Sequence, residues 1–145
     1  MNWQDAKDIA CEYHKGQTRW DGIEQYIEHP RRVANKFIGA PNLNYQIVAW
    51  LHDTLEDTDL TIEDLLNKGI SNTCLLALIA ITHRDNEPYA IYIERVGNNT
   101  IAREVKVEDI KDNLNGLVFS DHKQRIAKYE LAILYLESLA FRVLN

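Results

Sequence analysis

His52 and Asp53 are adjacent at the end of an apolar run, and Glu56 and Asp57 follow closely. On a helix, Glu56 lies three residues after Asp53 and four after His52, so these side chains share one face. One imidazole and three carboxylates would then lie together, and the mutual repulsion of the carboxylates disfavours this unless a cation is present. A divalent metal ion is one such cation. The alternative is an ordinary acidic helix end, whose carboxylates favour the N-terminus of the next helix.

Two further segments supply candidate metal ligands. His29 precedes Pro30, which can begin a helix because its missing N–H costs nothing at the first position. Asp109 lies in a segment of helical character, and Asn113 falls one turn later on the same face. We expect Asp112, three residues after Asp109, to be solvated or paired on the surface. Taken alone, His29 is more often a loop or capping histidine than a ligand.

Composition and charge narrow the classes of function. The chain has 145 residues, 46% of them hydrophobic and 26% charged, which favours one globular domain over residues 1–145. Its net charge is −6 and no long basic run occurs, which disfavours binding to a nucleic-acid polymer. The longest wholly apolar stretch, in residues 75–81, is far shorter than the ~18 residues that cross a membrane. No secretion signal is visible, so we expect a cytoplasmic protein.

Helical signals dominate the segments that must position these side chains. Apolar residues recur at helical spacing in residues 3–13, 30–38, 45–56, 100–114 and 121–144. Thr61 and Asp64 predict a capping box at the start of a short helix. Clean alternation of apolar and polar residues is hard to find. The sequence therefore predicts an all-α fold, a compact array of about six to eight helices. The apolar stripe of the last helix fits its own core and a homo-oligomer surface equally well.

The order of the candidate ligands matches a known pattern. His29, then His52–Asp53, then Asp109 resembles the H…HD…D pattern of the HD-domain metal-dependent phosphohydrolases. A fuller resemblance is to the hydrolase domain of RelA/SpoT homologues. Its opening motif, its HD-x-x-ED signature and its later aspartate helix are similar to HKGQTR at 14–19, LHDTLEDT at 51–58 and VKVED at 105–109. The matching segments follow the expected order, so the combined match is much more specific than any one motif.

The resemblance implies an HD-type helical array with one divalent ion, often manganese, held by His29, His52, Asp53 and Asp109. Imidazole and carboxylate ligands suit Mn²⁺, Fe²⁺, Co²⁺ or Zn²⁺, so the ligand list alone does not choose the metal. Glu56 and Asp57 resemble the catalytic acidic pair of the family. Our hypothesis is that they position and deprotonate the attacking water, or protonate the leaving oxygen.

The resemblance also places Arg19 and Asn113 beside a nucleotide. A guanidinium can stack on a base or bind a phosphate, although Arg19 could equally anchor its loop through an ion pair, and Asn113 could act as a local cap. Two departures border this expected site. Trp20 stands where many relatives carry a basic residue, and the loop at 22–26 is one residue longer and lacks a proline. These departures leave the identity of the nucleotide open.

The leading hypothesis is a phosphohydrolase that acts on a nucleotide, such as the 3′-pyrophosphate of guanosine tetraphosphate. The length leaves no room for the synthetase or regulatory domains of long relatives, so we expect a stand-alone module. One alternative is hydrolysis of another nucleotide or of a cofactor phosphate. Another is a catalytically silent nucleotide-sensing domain, against which the retained Glu56–Asp57 pair argues. A purely structural scaffold is the simplest alternative.

Overall fold

The computed structural model describes residues 1–143, without the side chains at 119–120 and 141–143. The helices are α1 (Trp3–Tyr13), α2 (Glu28–Asn35), α3 (Asn44–Leu51), α4 (Thr54–Asp57), α5 (Ile62–Asn67), α6 (Asn72–Ile81), α7 (Tyr89–Gly97), α8 (Thr100–Asn115) and α9 (Phe119–Val143). Within residues 1–143 these are eight helices and the single turn α4, and no β-strand accompanies them. The predicted all-α array is confirmed. Across the described part of the chain, no helix combines the length and apolar character that crossing a membrane requires.

The hydrophobic core forms around α3. This helix packs against α1, α2, α6 and α8, so almost its whole surface is covered. Val48, Ala49 and Leu51 have no exposed surface, and Trp50 is 5% exposed. A helix that is apolar on all sides belongs in the interior rather than at a surface. The end of α3 is therefore held firmly by its neighbours, and it is the end that carries His52.

Side-chain caps fix where several helices begin. The Thr61 hydroxyl accepts the Asp64 N–H at 3.1 Å, and the Asp64 carboxylate accepts the Thr61 N–H at 3.0 Å. The predicted capping box of α5 is confirmed. A second capping box, between Asn2 and Asp5, begins α1. Each box satisfies two backbone N–H groups that a helix start leaves without partners.

The last helix differs from its prediction in one respect. α9 begins at Phe119, and His122 within it has non-helical backbone angles, so the first residues are kinked away from the long helix that follows. The predicted end at residue 144 lies outside the described residues. α9 packs against α7 and α8, and it approaches α7 closely at Gly97. A Cβ atom at Gly97 would lie 2.5 Å from Leu139 Cδ1, which explains why glycine is needed there.

Candidate metal centre

Three helices bring the four predicted metal ligands together. His29 lies in the first turn of α2, His52 and Asp53 follow α3, and Asp109 lies on α8. One potential ligand atom from each of these residues falls within 4.8 Å of the others. His29 Nε2 is 2.9 Å from Asp109 Oδ1 and 3.2 Å from His52 Nε2. Three of the side chains are buried, and Asp53, which is 16% exposed, faces the open side of the cluster.

The sequence predicts one continuous helix over residues 45–56, and this prediction is wrong. α3 ends at Leu51, and the turn α4 begins at Thr54. The Thr54 hydroxyl donates a hydrogen bond of 2.7 Å to the Leu51 carbonyl, which satisfies a backbone acceptor at the break. Because the chain changes direction here, His52 and Asp53 both turn towards α2 and α8. Helical spacing alone did not predict this arrangement.

Hydrogen bonds to the outer nitrogens of both histidines determine their tautomers. His29 Nδ1 lies 2.7 Å from Asp112 Oδ2, and His52 Nδ1 lies 2.7 Å from the Ala49 carbonyl oxygen. Both partners are acceptors, so the neutral rings carry their protons on Nδ1 and expose a lone pair on Nε2. Two lone pairs then face two carboxylates. This donor set fits a divalent cation, which would relieve the repulsion among the four groups.

Protons compete with a metal for the same position. Burial by itself lowers the pKa of His29, but the carboxylates of Asp109 and Asp112 outweigh it and raise the pKa above 6.5. The pKa of His52 is raised further, since Asp53 and Asp109 together outweigh its burial. We infer that metal binding at this cluster releases protons, as expected for imidazole ligands.

Lys106 balances part of the negative charge, and the sequence analysis did not single it out. Its Nζ donates to Asp109 Oδ2 at 2.7 Å and lies 5.1 Å from the centre of the Tyr92 ring. Burial tends to raise the pKa of Asp109, but Lys106 and the two histidines hold it well below its usual value. The spacing of three residues between Lys106 and Asp109 on one helix was the available signal.

Asp112 was predicted to be solvated or paired on the surface, and its main role is different. It accepts the His29 Nδ1–H and also binds Arg32, whose Nε lies 2.7 Å from Asp112 Oδ1. Arg32 in turn pairs with Glu24. Asp112 therefore orients a candidate metal ligand, an arrangement common around metal sites. Asp112 lies one helical turn after Asp109, so both carboxylates contact His29 on α2.

Glu56 and Asp57 lie at the exposed edge of the cluster. The Glu56 carboxylate accepts the backbone N–H of His83 at 2.7 Å, and Asp57 Oδ2 lies 3.0 Å from the Tyr26 hydroxyl. Partial burial raises the pKa of Glu56, and the charges of Asp53 and Asp57 add to this effect against the His83 N–H. Partial burial also raises the pKa of Asp57, and the negative charge of Asp53 is the next largest cause. Both carboxyl groups are thereby moved towards the range useful for proton transfer.

Tyr26 links the acidic pair to the proposed ligands, and the sequence analysis did not single it out. Its hydroxyl lies 2.7 Å from Asp53 Oδ2 as well as near Asp57. The ring stacks on His14, with centroids 4.7 Å apart, and Gln17 bonds both His14 and the Asp57 carbonyl. The opening motif thus holds the phenol in place. The Tyr26 hydroxyl has one proton and can donate it to only one of the two carboxylates. The arrangement is therefore favoured when one of the two carboxyl groups carries a proton.

Arg19 and Asn113, the predicted nucleotide-binding residues, contact each other. Arg19 Nη2 donates to Asn113 Oδ1 at 2.8 Å, and Asn113 Nδ2 donates to Asp109 Oδ1 at 3.1 Å. Arg19 also lies over the Tyr26 ring, 5.5 Å from its centre. They line a cavity of about 210 Å³ with Trp20, Tyr26, Leu117, Arg125 and Tyr129. The cavity combines aromatic surfaces with two guanidinium groups beside the cluster, a composition suited to a nucleotide.

Comparisons with known proteins agree with this geometry. The all-α array has the fold of an HD-type hydrolase domain. Within that class the chain is 33% identical, over 90% of its length, to guanosine-3′,5′-bis(diphosphate) 3′-pyrophosphohydrolase of Aquifex aeolicus. It is 30% identical, over 86% of its length, to the bifunctional (p)ppGpp synthase/hydrolase SpoT of Escherichia coli. The predicted resemblance to RelA/SpoT homologues is confirmed. No protein-family model matches the chain.

The matched relatives are much longer than this chain. The chain covers 20% of the length of each of these two proteins. A solved structure of a metazoan orthologue of SpoT that hydrolyses ppGpp is similar in size as well as in fold. That structure has a TM-score of 0.75 and 19% identity, and the match covers 97% of this chain and 94% of the other. The two chains therefore share one fold over most of the length of both.

Proposed function

We propose that this protein is a metal-dependent phosphohydrolase that releases pyrophosphate from a nucleotide, with guanosine 3′,5′-bis(diphosphate) as the first candidate substrate. The observation that carries the proposal is the position of the acidic pair, Glu56 and Asp57, at the open edge of a four-residue cluster suited to a metal. Pure nucleotide binding does not require such a pair. The names of the similar proteins from Aquifex aeolicus and Escherichia coli supply the candidate substrate.

In this proposal, His29, His52, Asp53 and Asp109 hold one divalent ion. When bound, such an ion would supply Lewis acidity to a water molecule and to a phosphate oxygen. Manganese is the metal that we propose, because it is often the metal of the family that the chain resembles and because imidazole and carboxylate ligands are compatible with it. Asp112 and the Ala49 carbonyl keep both imidazoles in the tautomer that exposes Nε2. Lys106 occupies Asp109 Oδ2 and so leaves Oδ1 as the oxygen directed into the cluster.

In the proposed reaction, Glu56 and Asp57 transfer the protons. We assign Glu56 to accept the proton of the attacking water, because its carboxylate is oriented by the His83 N–H and has a raised pKa. We assign Asp57 to carry a proton for the leaving oxygen, because it is hydrogen-bonded to Tyr26 and its pKa is raised. Water adds to phosphorus, the bond to the ribose oxygen breaks, and the products are pyrophosphate and a nucleoside 5′-diphosphate.

The nucleotide is held in the cavity beside the cluster. Arg19 lies over Tyr26 and can stack on a base or bind a phosphate, while Asn113 joins Arg19 to Asp109. Trp20, which is 57% exposed at the mouth of this cavity, offers an additional aromatic surface. We also propose a cytoplasmic location, since Cys11 and Cys74 are free thiols of the kind that a reducing compartment preserves.

The test is a product-resolved screen of nucleotides with manganese present. We expect guanosine tetraphosphate to yield pyrophosphate and guanosine diphosphate, and Glu56→Gln to reduce turnover by about 10²–10⁴-fold while keeping its metal. Turnover of a different nucleotide or of a phosphorylated cofactor would retain the reaction and change the substrate. Nucleotide binding without release of phosphate or pyrophosphate would overturn the proposal in favour of a sensing domain. Full activity of a metal-loaded Glu56→Gln variant would remove Glu56 from the mechanism.

A further inference from the structure

The orientation of Glu56 depends on a loop that is distant from it in sequence. Residues 82–88 connect α6 to α7, and the His83 backbone N–H at the start of this loop donates to Glu56 Oε1 at 2.7 Å. A hydrogen bond to a charged acceptor is directional and stronger than one to a neutral acceptor. The direction of the Glu56 carboxylate is therefore sensitive to where the backbone of His83 lies.

One arginine on α7 fixes the backbone on the α6 side of the loop. Arg95 Nη1 donates to the carbonyl oxygens of Ile79 and Ala80, both at 2.8 Å, and Nη2 donates to the Thr82 carbonyl at 3.0 Å. These acceptors belong to the C-terminal end of α6, where helical carbonyls lack partners within the helix and favour a positive charge. Thr82 directly precedes His83. The guanidinium thus determines the direction in which the chain leaves α6.

The same guanidinium fixes the other side of the loop through Glu87. Arg95 Nη2 lies 2.5 Å from Glu87 Oε1, and Arg95 Nε lies 3.3 Å from Glu87 Oε2. Glu87 Oε1 also accepts the Arg84 N–H at 3.3 Å, and the Glu87 carbonyl lies 2.7 Å from His83 Nε2. Both ends of the loop are therefore tied to one planar group. A lysine, with all its donors on one atom, cannot make this set of bonds.

An aromatic contact fixes the side chain of His83, the residue whose backbone N–H donates to Glu56. The His83 ring stacks on Tyr92, with centroids 4.5 Å apart and ring planes 17° apart. Tyr92 is 2% exposed, and its hydroxyl bonds the Ile81 carbonyl. Arg95 Cζ lies 5.5 Å from the centre of the same ring. Arg95, Tyr92 and His83 form one packed unit, so a disturbance of Arg95 is transmitted to His83.

We propose that Arg95 is a positioning residue for Glu56, acting through the backbone of His83. It touches neither the cluster nor the cavity beside it, and it works by holding the loop that aims one N–H at the Glu56 carboxylate. The inference rests on the proposed function, because it takes Glu56 as the group that accepts a proton. Loss of Arg95 should misdirect Glu56 and slow the chemical step, while substrate and metal binding stay the same.

The kinetic test compares Arg95→Lys in two backgrounds. In the otherwise native protein we expect kcat to fall by about 10-fold or more, because small misplacements of catalytic groups are costly. KM and metal content should stay within about twofold. In the Glu56→Gln background the same substitution should change kcat by less than about twofold, since coupled residues are not additive. An equal loss in both backgrounds would show that Arg95 acts on something other than Glu56.

The matched control is Arg103→Lys. Arg103 is also a mostly buried arginine, and it donates a hydrogen bond to the carbonyl of Gly97 rather than to the loop at 82–88. We expect Arg103→Lys to leave kcat unchanged even if it lowers the unfolding temperature. If Arg95→Lys fails to fold, Glu87→Gln weakens the same network more gently. It should then lower kcat by a smaller factor, and this loss should likewise disappear in the Glu56→Gln background.

A second readout does not need turnover. The amide proton of His83 should resonate downfield in the native protein because it donates to a carboxylate, and it should move upfield in both Glu56→Gln and Arg95→Lys. An unchanged His83 amide in Arg95→Lys would overturn the inference whatever the kinetics show. If the amide moves as expected and no nucleotide is hydrolysed, the proposed function fails and the structural link between Arg95 and Glu56 stands.

Discussion

Leu51 and His52 are neighbours in the chain, but their side chains are buried in two very different environments. Leu51 is fully buried, and His52 is 2% exposed. Leu51 packs in the hydrophobic core around α3, whereas the His52 ring enters the polar cluster with His29, Asp53 and Asp109. The change from apolar to polar interior takes place within one residue, at the point where α3 ends.

The two interiors are stabilised by different physics. The core gains free energy from removing apolar surface from water, a non-directional effect that tolerates exchange of one apolar shape for another. The cluster places carboxylates and imidazoles in a buried position, where each needs a specific partner. We infer that the core supplies stability to the fold, and that the cluster depends on the fold to hold groups that repel one another.

The largest expected effect is that of His52→Ala on activity. Removing one of four proposed ligands should lower turnover by ~10³-fold or more, since a bound ion contributes several kcal/mol to catalysis and each 1.4 kcal/mol is tenfold. Metal content after dialysis should fall in parallel. The free energy of unfolding of the metal-free protein should change by no more than ~1–2 kcal/mol. Normal metal content with normal turnover would exclude His52 as a ligand.

Leu51→Ala should have the opposite profile. A fully buried leucine that is shortened to alanine leaves a cavity, and the cost is about 2–5 kcal/mol of unfolding free energy, measured by urea denaturation. The fraction that remains folded should keep its metal and its kcat within about twofold. A specific loss of metal from folded Leu51→Ala protein would show that core and cluster cannot be separated.

Metal addition should stabilise the protein more as the pH rises. The pKa values of His29 and His52 are raised, so their contribution to the stability of the metal-free protein is present below pH 6.5 and is lost as the pH rises through their folded values. A metal needs neutral imidazoles, so its affinity changes in the opposite direction. At about 100 times its Kd a metal adds ~2.7 kcal/mol. The unfolding temperature with and without Mn²⁺, at about pH 6 and about pH 8, checks this.

His52→Ala is the control for the effect of metal addition. It should show no metal-dependent change in unfolding temperature at either pH. A change of equal size at both pH values in the native protein would contradict the proposed competition between metal and protons.

The smallest effect concerns the orientation of one ligand. Asp112→Asn should reduce metal affinity by about 10–100-fold, because the His29 tautomer loses its carboxylate partner. Glu24→Gln is the matched control, since Glu24 binds the same Arg32 but does not touch His29. It should leave metal affinity within about twofold of the native value. Equal losses in both variants would assign the effect to the pairing of Arg32.

Sequence reasoning was most successful where the signal was local. The capping box at Thr61 and Asp64 and the all-α fold follow from short-range spacing, and the structure confirms both. The family resemblance carried by the order of His29, His52–Asp53 and Asp109 implied that these residues converge, and the structure brings them together. The break after Leu51 was missed because it depends on where α2 and α8 lie. Spacing along one helix does not contain that information.

The residues that sequence reasoning missed contact the proposed metal ligands or the acidic pair, and they are not themselves proposed to bind the metal. Asp112 was expected at the surface because a lone carboxylate on a charged helix usually lies there. Its partner, His29, is 83 residues away, so only the packing of α8 on α2 reveals the contact. Tyr26 was missed for the same reason, since its partners Asp53 and Asp57 are 27 and 31 residues away. Lys106 differs, because its spacing of three residues from Asp109 on one helix was a local signal.

The distance along the chain between the proposed ligands has a consequence for folding. His29 and His52 lie on helices that are near in sequence and pack together, whereas the contact between His29 and Asp109 closes a separation of 80 residues. Closing such a long loop is slow relative to forming neighbouring helices. The set of four proposed ligands is therefore complete only after α8 has docked. We expect that a cation that needs all four proposed ligands stabilises a late stage of folding rather than an early one.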